Sequence, residues 1–299
     1  MVIAVVMEII NRRQRMSSVA RKLHREGQTI GLVPTMGALH DGHLSLVREA
    51  RTLSDAVIVS IFVNPTQFGP KEDFDRYPRD LTRDTVLLTN YNVDYIFAPA
   101  AEEIYPKNFS TFVTVERLSE QLEGASRPGH FRGVTTIVAI LLNIVRPDFA
   151  FFGQKDAQQG LLIKKIVRDL AFPTEIVVVP TVREQTGLAV SSRNEFLNEE
   201  ERAAAPILYR ALSQAREAYN EGERSAASLI ELMSSMIERE PHARIDYISV
   251  NDAETLERIE RLDDRPALLS LAVYIGNARL IDNIVLGKAK KQDAATAGA

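Results

Sequence analysis

Residues 29–63, TIGLVPTMGALHDGHLSLVREARTLSDAVIVSIFV, decide the fold class. Residues 29–33 form a short β-rich run that ends at Pro34, and a glycine-containing turn follows. From about residue 43 to 53, Leu44, Val47 and Ala50 recur at helical spacing. Residues 55–63 are nearly all apolar, the composition of a strand covered on both faces. Strand, turn, helix and strand make a βαβ unit, which belongs in a parallel sheet packed between helices.

The same alternation continues outward. A charged, proline-containing loop is predicted at 69–80, a helix at 81–90 and a strand at 93–98. An apolar helix at about 133–145 is closed by Pro147, and a strand at 148–152, a helix at 156–170 and a strand at 175–179 follow. Residues 1–180 therefore predict an α/β, Rossmann-like, doubly wound domain. The character changes near Pro180. Residues 198–239 read as two helical runs broken around Asn220, Gly222 and Ser225, and strands are predicted at 244–250, 267–274 and 278–285. Helices followed by antiparallel strands predict a smaller C-terminal α+β domain over 181–287. The small, charged residues 288–299 are expected to be a disordered tail.

Composition narrows the function. Thirty-six Lys and Arg face forty Asp and Glu, a formal charge of −4, so nothing in the overall charge favours nucleic acid or a membrane surface as partner. With no cysteine, disulfides, thiolate nucleophiles and cysteine metal sites are excluded. The apolar residues 1–7 are interrupted by Glu8 before signal-peptide length is reached, and no apolar run approaches the roughly 18 residues of a membrane helix. The cytoplasm is the expected location.

Four polar clusters lie at strand ends or in loops. In the first, Pro34-Thr35-Met36-Gly37-Ala38-Leu39-His40-Asp41-Gly42-His43, the chain leaves a buried strand and opens a helix. Free backbone N–H groups and the helix dipole favour a phosphate at such a place. His40 and His43 are three residues apart and can face one side of the opening turn. His-x-x-His is also half of a metal site, but no third ligand is placed in the same element, so no metal site is assigned. The second cluster, Asn64-Pro65-Thr66-Gln67, follows the next strand; its amides suit a carboxylate or hydroxyl, and an Asn-Pro turn is the alternative.

The third cluster, Gly153-Gln154-Lys155-Asp156, again lies between strand and helix, with Gln159 one turn on. Lys155 suits a phosphate oxygen, whereas Asp156 equally suits a helix N-cap. In the fourth, Thr181-Val182-Arg183 is followed by the glycine-led loop 187–194, in which Val190-Ser191-Ser192-Arg193 offers hydroxyls and a guanidinium suited to triphosphate oxygens; an exposed loop entering the next helix is the alternative. The basic stretch Arg127–Gly133 could line such a site or form a turn between domains. Neither a Gly-x-x-x-x-Gly-Lys-Ser/Thr loop nor Gly-x-Gly-x-x-Gly occurs. The residues alone reach a nucleotide-using α/β enzyme and no named substrate.

The stretches PTMGALHDGH, SIFVNPTQFGPKEDFDRYPRD, RPGHFRGVTTIVAILLNIVRPDFAFFGQKDAQQ and PTVREQTGLAVSSRN resemble, in order, the characteristic blocks of the pantoate–β-alanine ligase family. That family lies within the adenylate-forming nucleotidyltransferases, together with class I aminoacyl-tRNA synthetases. The resemblance implies condensation of (R)-pantoate with β-alanine through pantoyl adenylate, with ATP as co-substrate and Mg2+ accompanying it. It implies nucleotide contacts from Met36, Gly37, Ala38, Leu39, His40, Asp41, Gly42 and His43, from Gly153, Gln154, Lys155 and Asp156, and from Val182, Val190, Ser191, Ser192 and Arg193. Catalytic work would fall to His43 and His40 with Lys155, Ser191, Ser192 and Arg193, and pantoate contact to Pro34, Met36, Asn64, Gln67 and Gln159. A homodimer and a lid-like C-terminal domain are also implied.

Two departures stand out. Thr186 and Val190 occupy positions where the family commonly has Asp and Met, and 105–108 lacks the family's glycine after Tyr105-Pro106. The first is expected to adjust ATP affinity or loop motion, the second to be a surface change. The competing readings are a nucleotidyltransferase that transfers AMP or CMP without amide ligation, and a nucleotide-binding regulatory or RNA-binding protein.

Overall fold

The computed structural model describes residues 7–69, 72, 74–263 and 265–287. By its contacts the chain forms two compact units. One holds the residues up to Val182 together with Val190–Ser192, and the other holds Arg183–Ala189 with the chain from Arg193 onward. The tail expected at 288–299 lies outside the described residues.

The first unit is built on a six-stranded sheet with the order β1-β4-β3-β2-β5-β6. Its strands are β1 (Glu8–Ile10), β2 (Ile30–Thr35), β3 (Ala56–Ile61), β4 (Tyr95–Phe97), β5 (Phe149–Gly153) and β6 (Glu175–Val179). Every neighbouring pair is parallel. One face packs against the helices Arg13–Arg25, His130–Val145 and Ala157–Asp169 through residues such as Met16, Leu142 and Ile163. The other face packs against Asp41–Leu53 and Leu81–Thr89 through Val47, Ala50 and Leu88. Coverage of both faces explains why β2 and β3 are apolar without alternation.

The second unit contains an antiparallel sheet, β7 (Ala243–Asp252), β8 (Ala267–Ile275) and β9 (Ala278–Leu286), in the order β7-β8-β9. Leu208, Leu212, Leu229 and Met233 from its helices join Leu269, Leu271 and Val273 of β8 in one core. The expected α/β fold with a smaller α+β part is what the chain adopts. Among the described residues no helix is long and apolar enough to cross a membrane.

Three details differ from the sequence reading. Strand β1 and the helix Arg13–Arg25 were not anticipated. The strand has only three residues, and Arg12 gives the helix no side-chain cap. The two helical runs expected over 198–239 are three helices, Glu199–Ala204, Ile207–Asn220 and Ala226–Ile237. Pro206, which has no N–H, stands at the additional break.

The sheet opens where the site lies. Strands β2 and β3 pair from Ile30↔Ala56 through Thr35↔Ile61, whereas β2 and β5 pair only at Gly31↔Phe149 and Leu32↔Ala150. The Ile30 carbonyl accepts from Asp148 N (2.9 Å) on the β5 side, and the Thr35 carbonyl accepts from Phe62 N (3.1 Å) on the β3 side. Even-numbered residues of β2 therefore face β5, and Pro34, lacking an N–H, stands where that ladder stops. Chain order runs from β2 outward through β3 and β4 on one side and through β5 and β6 on the other. This is a topological switch point, beyond whose carboxyl ends ligands bind in open α/β sheets.

Candidate active site

The turn after β2 is held by its own side chains. His40 is the N-cap of the helix Asp41–Leu53, and its Nδ1 accepts from Gly42 N (3.1 Å). His43 Nδ1 accepts in turn from His40 N (3.4 Å), and the two rings lie 4.1 Å apart. An imidazole nitrogen that accepts from a backbone N–H carries no proton, so both neutral rings bear theirs on Nε2. Burial lowers the His43 pKa to about 3, with the neighbouring His40 and Lys155 adding to the effect and Asp156 opposing it. At neutral pH His43 is an uncharged hydrogen-bond donor.

The backbone of this turn is already engaged. Gly37 N donates to Thr35 Oγ1 (3.2 Å), Ala38 N and Leu39 N to the two oxygens of Asp84 (2.9 Å each), and His43 N to the His40 carbonyl (2.8 Å). The expectation of free N–H groups for a phosphate therefore does not hold at Gly37, Ala38, Leu39 and His43, and the two imidazoles add donors to the turn.

The second cluster is a set of amides with fixed polarity. Buried Asn64 donates through Nδ2 to the Gly133 carbonyl (3.1 Å) and to Gln67 Oε1 (3.0 Å). Its Oδ1 accepts from Thr66 Oγ1 (2.9 Å) and Tyr105 OH (2.7 Å). Asn64 thus orients Gln67, whose Nε2 lies 3.0 Å from Met36 Sδ in the first cluster. Behind it, His130 Nδ1 donates to the Gln67 carbonyl (2.8 Å), and Arg127 Nη1 donates to His130 Nε2 (3.1 Å). Burial foremost, with Arg127 second, lowers the His130 pKa to about 4. Arg127 itself is paired with both oxygens of Glu72, at 2.8 and 2.6 Å.

The third cluster follows β5, the neighbour of β2, and the charges of Lys155 and Asp156 act on His43. Lys155 Nζ lies 3.5 Å from Asp156 Oδ1. Asp156 occupies the N-cap position of Ala157–Asp169 but makes no capping hydrogen bond, so the N-cap alternative does not apply to it. Gln159 is half-buried, while adjacent Gln158 is committed to the carbonyls of Leu118 and Gln121 (2.8 Å each).

From the fourth cluster, Val190 N donates to the Val182 carbonyl (3.0 Å), and a Cβ on Gly42 would stand 3.9 Å from the Val190 carbonyl oxygen. Parts of all four clusters therefore meet within the first unit. Ser191 and Ser192 belong to that unit too, whereas Arg193 belongs to the second, in the 3₁₀ turn Ser192–Phe196. Among the described residues no group of three His, Asp or Glu side chains could hold a metal ion.

Asp84 and Tyr105 escaped the sequence reading as site residues, whereas His130 and Gly133 lie in the basic stretch 127–133 that it offered as a possible lining. Asp84 and Tyr105 lie in segments that read as an ordinary helix and a surface turn. Asn108 is exposed with φ 74°, a left-handed position that asparagine tolerates, which accounts for the missing glycine there.

The family model described as pantoate-beta-alanine ligase matches residues 8–285. The pantothenate synthetase of Moorella thermoacetica is 55% identical over 280 residues, 94% of this chain and 99% of that protein. The crystal structure of pantothenate synthetase from Thermus thermophilus superposes with a TM-score of 0.87 at 45% identity, covering 93% of this chain and 99% of that one. A pantoate-beta-alanine ligase from Francisella tularensis, complexed with beta-gamma ATP and beta-alanine, gives a TM-score of 0.77 at 37% identity over 94% of this chain and 98% of its own. With the site at the switch point and the match running nearly end to end, this chain belongs to the pantoate–β-alanine ligase family.

Proposed function

We infer that this protein condenses (R)-pantoate with β-alanine at the expense of ATP, giving pantothenate, AMP and pyrophosphate. The observation that carries the reading is the meeting of a paired-imidazole turn, a fixed donor amide and a lysine at the mouth of a parallel sheet, in a chain of this family. In the first step a pantoate carboxylate oxygen attacks the α-phosphorus, and the bond to pyrophosphate breaks. In the second, the β-alanine amine attacks the acyl carbonyl, AMP leaves, and the amine's proton passes to solvent.

The residues divide this work by their chemistry. Neutral His43 and His40 donate from Nε2 to phosphate oxygens and stabilise charge as pyrophosphate departs, with Lys155 as the cation. The lowered pKa of His43 supports a hydrogen-bonding role over acid catalysis. Met36, Gly37, Ala38, Leu39, Asp41 and Gly42 shape the nucleotide turn; Gly153, Gln154 and Asp156 take the nucleotide from the β5 side, Asp156 at the ribose. Val182 and Val190 contact the adenine side, and Ser191, Ser192 and Arg193 the remaining phosphates. Gln67 offers N–H to pantoate and lies near β-alanine, Gln159 adds a second pantoate contact, and Pro34 and Met36 line that pocket. Asn64 acts through Gln67.

Mg2+ enters with ATP, bound to its phosphates. The part from 181 to 287 serves as a lid that keeps water from the mixed anhydride. Family resemblance supports a homodimer and a cytoplasmic location. The test is pyrophosphate release with each substrate omitted in turn, followed by product mass. Release should need pantoate, and pantothenate should form only when β-alanine is added. Turnover indifferent to both substrates in folded protein would overturn the assignment.

A further inference from the structure

The turn between β2 and its helix contains an anion of its own. Gly37 and Ala38 both have left-handed backbone, φ 82° and 51°, and the next two N–H groups, of Ala38 and Leu39, point to one place. Consecutive N–H groups in such turns make a concavity that binds anions. Here each donates, at 2.9 Å, to a different oxygen of Asp84, which reaches over from the helix Leu81–Thr89 and is only 1% exposed.

Two further features are built around this contact. Ala38 holds a left-handed conformation that its Cβ disfavours, and the two hydrogen bonds offset that strain. Gly37 must lack a Cβ, because one added there would stand 2.9 Å from Asp84 Oδ2. Burial also raises the Asp84 pKa, against the pull of the two N–H bonds, so the carboxylate is kept in an environment that resists its charge. A buried carboxylate is a poor choice for stability alone.

We propose that Asp84 is a positioning residue for adenylate formation, filling the anion concavity at 37–39 so that the phosphates of ATP are received by the imidazoles of His40 and His43. The proposal rests on the reading of this turn as the nucleotide turn. Leu39 is joined directly to His40, so the carboxylate that fixes Leu39 N also fixes where the cap and both rings begin. Without it, a phosphate can settle into the vacated concavity, away from the pantoate carboxylate. ATP would still bind, but its α-phosphorus would be misplaced for attack.

The test separates binding from chemistry in Asp84→Asn, which keeps the shape but turns a donor toward one of the two N–H groups. Pantoate-dependent ATP–pyrophosphate exchange should fall roughly 100-fold in kcat, the order expected of a misplacement of about 1 Å. The KM for ATP should stay level or drop, and attack of β-alanine on supplied pantoyl adenylate should be retained. Unchanged exchange, or equal loss in both half-reactions, would overturn the proposal. Gly37→Ala, which presses on the same carboxylate from the other side, should give the same selective loss and decides the matter if Asp84→Asn does not fold. Absence of pantoate-dependent exchange in the unaltered protein would instead count against the ligase reading.

Discussion

The amide of Asn64 sets the polarity of the amide of Gln67. Asn64 Nδ2 can only donate to the Gly133 carbonyl, so its second N–H, at 3.0 Å, requires Gln67 Oε1 as acceptor. That leaves Gln67 Nε2, beside Met36, as the group offered to a ligand. A chain of fixed partners thus turns an ambiguous side chain into a donor matched to an acid.

Asn64→Asp should reverse that polarity. The aspartate oxygen would face the Gly133 carbonyl and Gln67 Oε1, and Gln67 would flip to present its oxygen outward. Initial rates should show the KM for pantoate raised roughly 10- to 100-fold, the equivalent of about 1.5–3 kcal/mol for a lost hydrogen bond to a charged group. The KM for ATP should change little. An unaltered pantoate dependence would show that the orientation of Gln67 does not matter.

Gly133→Ala tests the support beneath the same amide. Alanine is normally favoured over glycine within a helix by about 1 kcal/mol. Here the new Cβ would press on the Thr66 carbonyl and stand 2.6 Å from Gln67 N, and backbone cannot swing aside as a side chain can. Urea unfolding should show net destabilisation of about 1–3 kcal/mol, as in overpacked cores, with a raised KM for pantoate. Stabilisation would mean that the helix and the turn can part without cost.

Much of this was legible in the sequence, for identifiable reasons. Strands β2 and β3 are long apolar runs bounded by Pro34 and Asn64, and polar clusters beyond strand ends mark a switch-point site. Spacing alone could place His40 and His43 together. The residues behind them were hidden, because Asp84 lies four before Leu88 on an unremarkable helix and Tyr105 lies in a turn. Their partners are 46 and 41 residues away in the chain, a separation that no local pattern encodes. The filling of the Ala38 and Leu39 N–H groups was hidden for the same reason, since the carboxylate that accepts from them comes from another element.

The depressed pKa of His43 has two measurable consequences. A group at about 3 in the folded state and 6.5 when unfolded binds more protons unfolded between those values. Its contribution to stability is therefore present above pH 6.5 and is lost as pH falls toward 3. His130, at about 4, acts in the same direction. Thermal stability should fall with acidification across this window, less steeply in His43→Gln. In adenylate formation, His43→Ala should cost roughly 100- to 1,000-fold, as for loss of an oxyanion donor. His43→Gln, which can still present an N–H near the Nε2 position, should lose less, and β-alanine attack on supplied adenylate should suffer less in both. Equal activity of the two variants would remove the hydrogen-bonding role.

In the second unit, Arg183 meets Asp282 through its two terminal guanidinium nitrogens, Nη1 and Nη2, at 2.6 and 2.9 Å, with the Asp282 side chain only 2% exposed. The guanidinium also donates to the Gly187 carbonyl (3.1 Å) and lies 3.8 Å over the Tyr209 ring. One cation therefore holds the turn 183–189, in which Thr186 is exposed, to β9 of the sheet. This places the Thr186 departure at a solvent-facing position. Arg183→Met leaves a buried carboxylate without its partner and should cost about 3–5 kcal/mol in urea unfolding. Asp282→Asn alone should cost less, because the amide oxygen can still accept from the guanidinium. Adding Asp282→Leu to Arg183→Met should recover part of the loss, because two apolar groups replace an unpaired charge. If the double variant is no more stable than Arg183→Met, the loss comes from the contacts with Gly187 and Tyr209 rather than from the stranded charge.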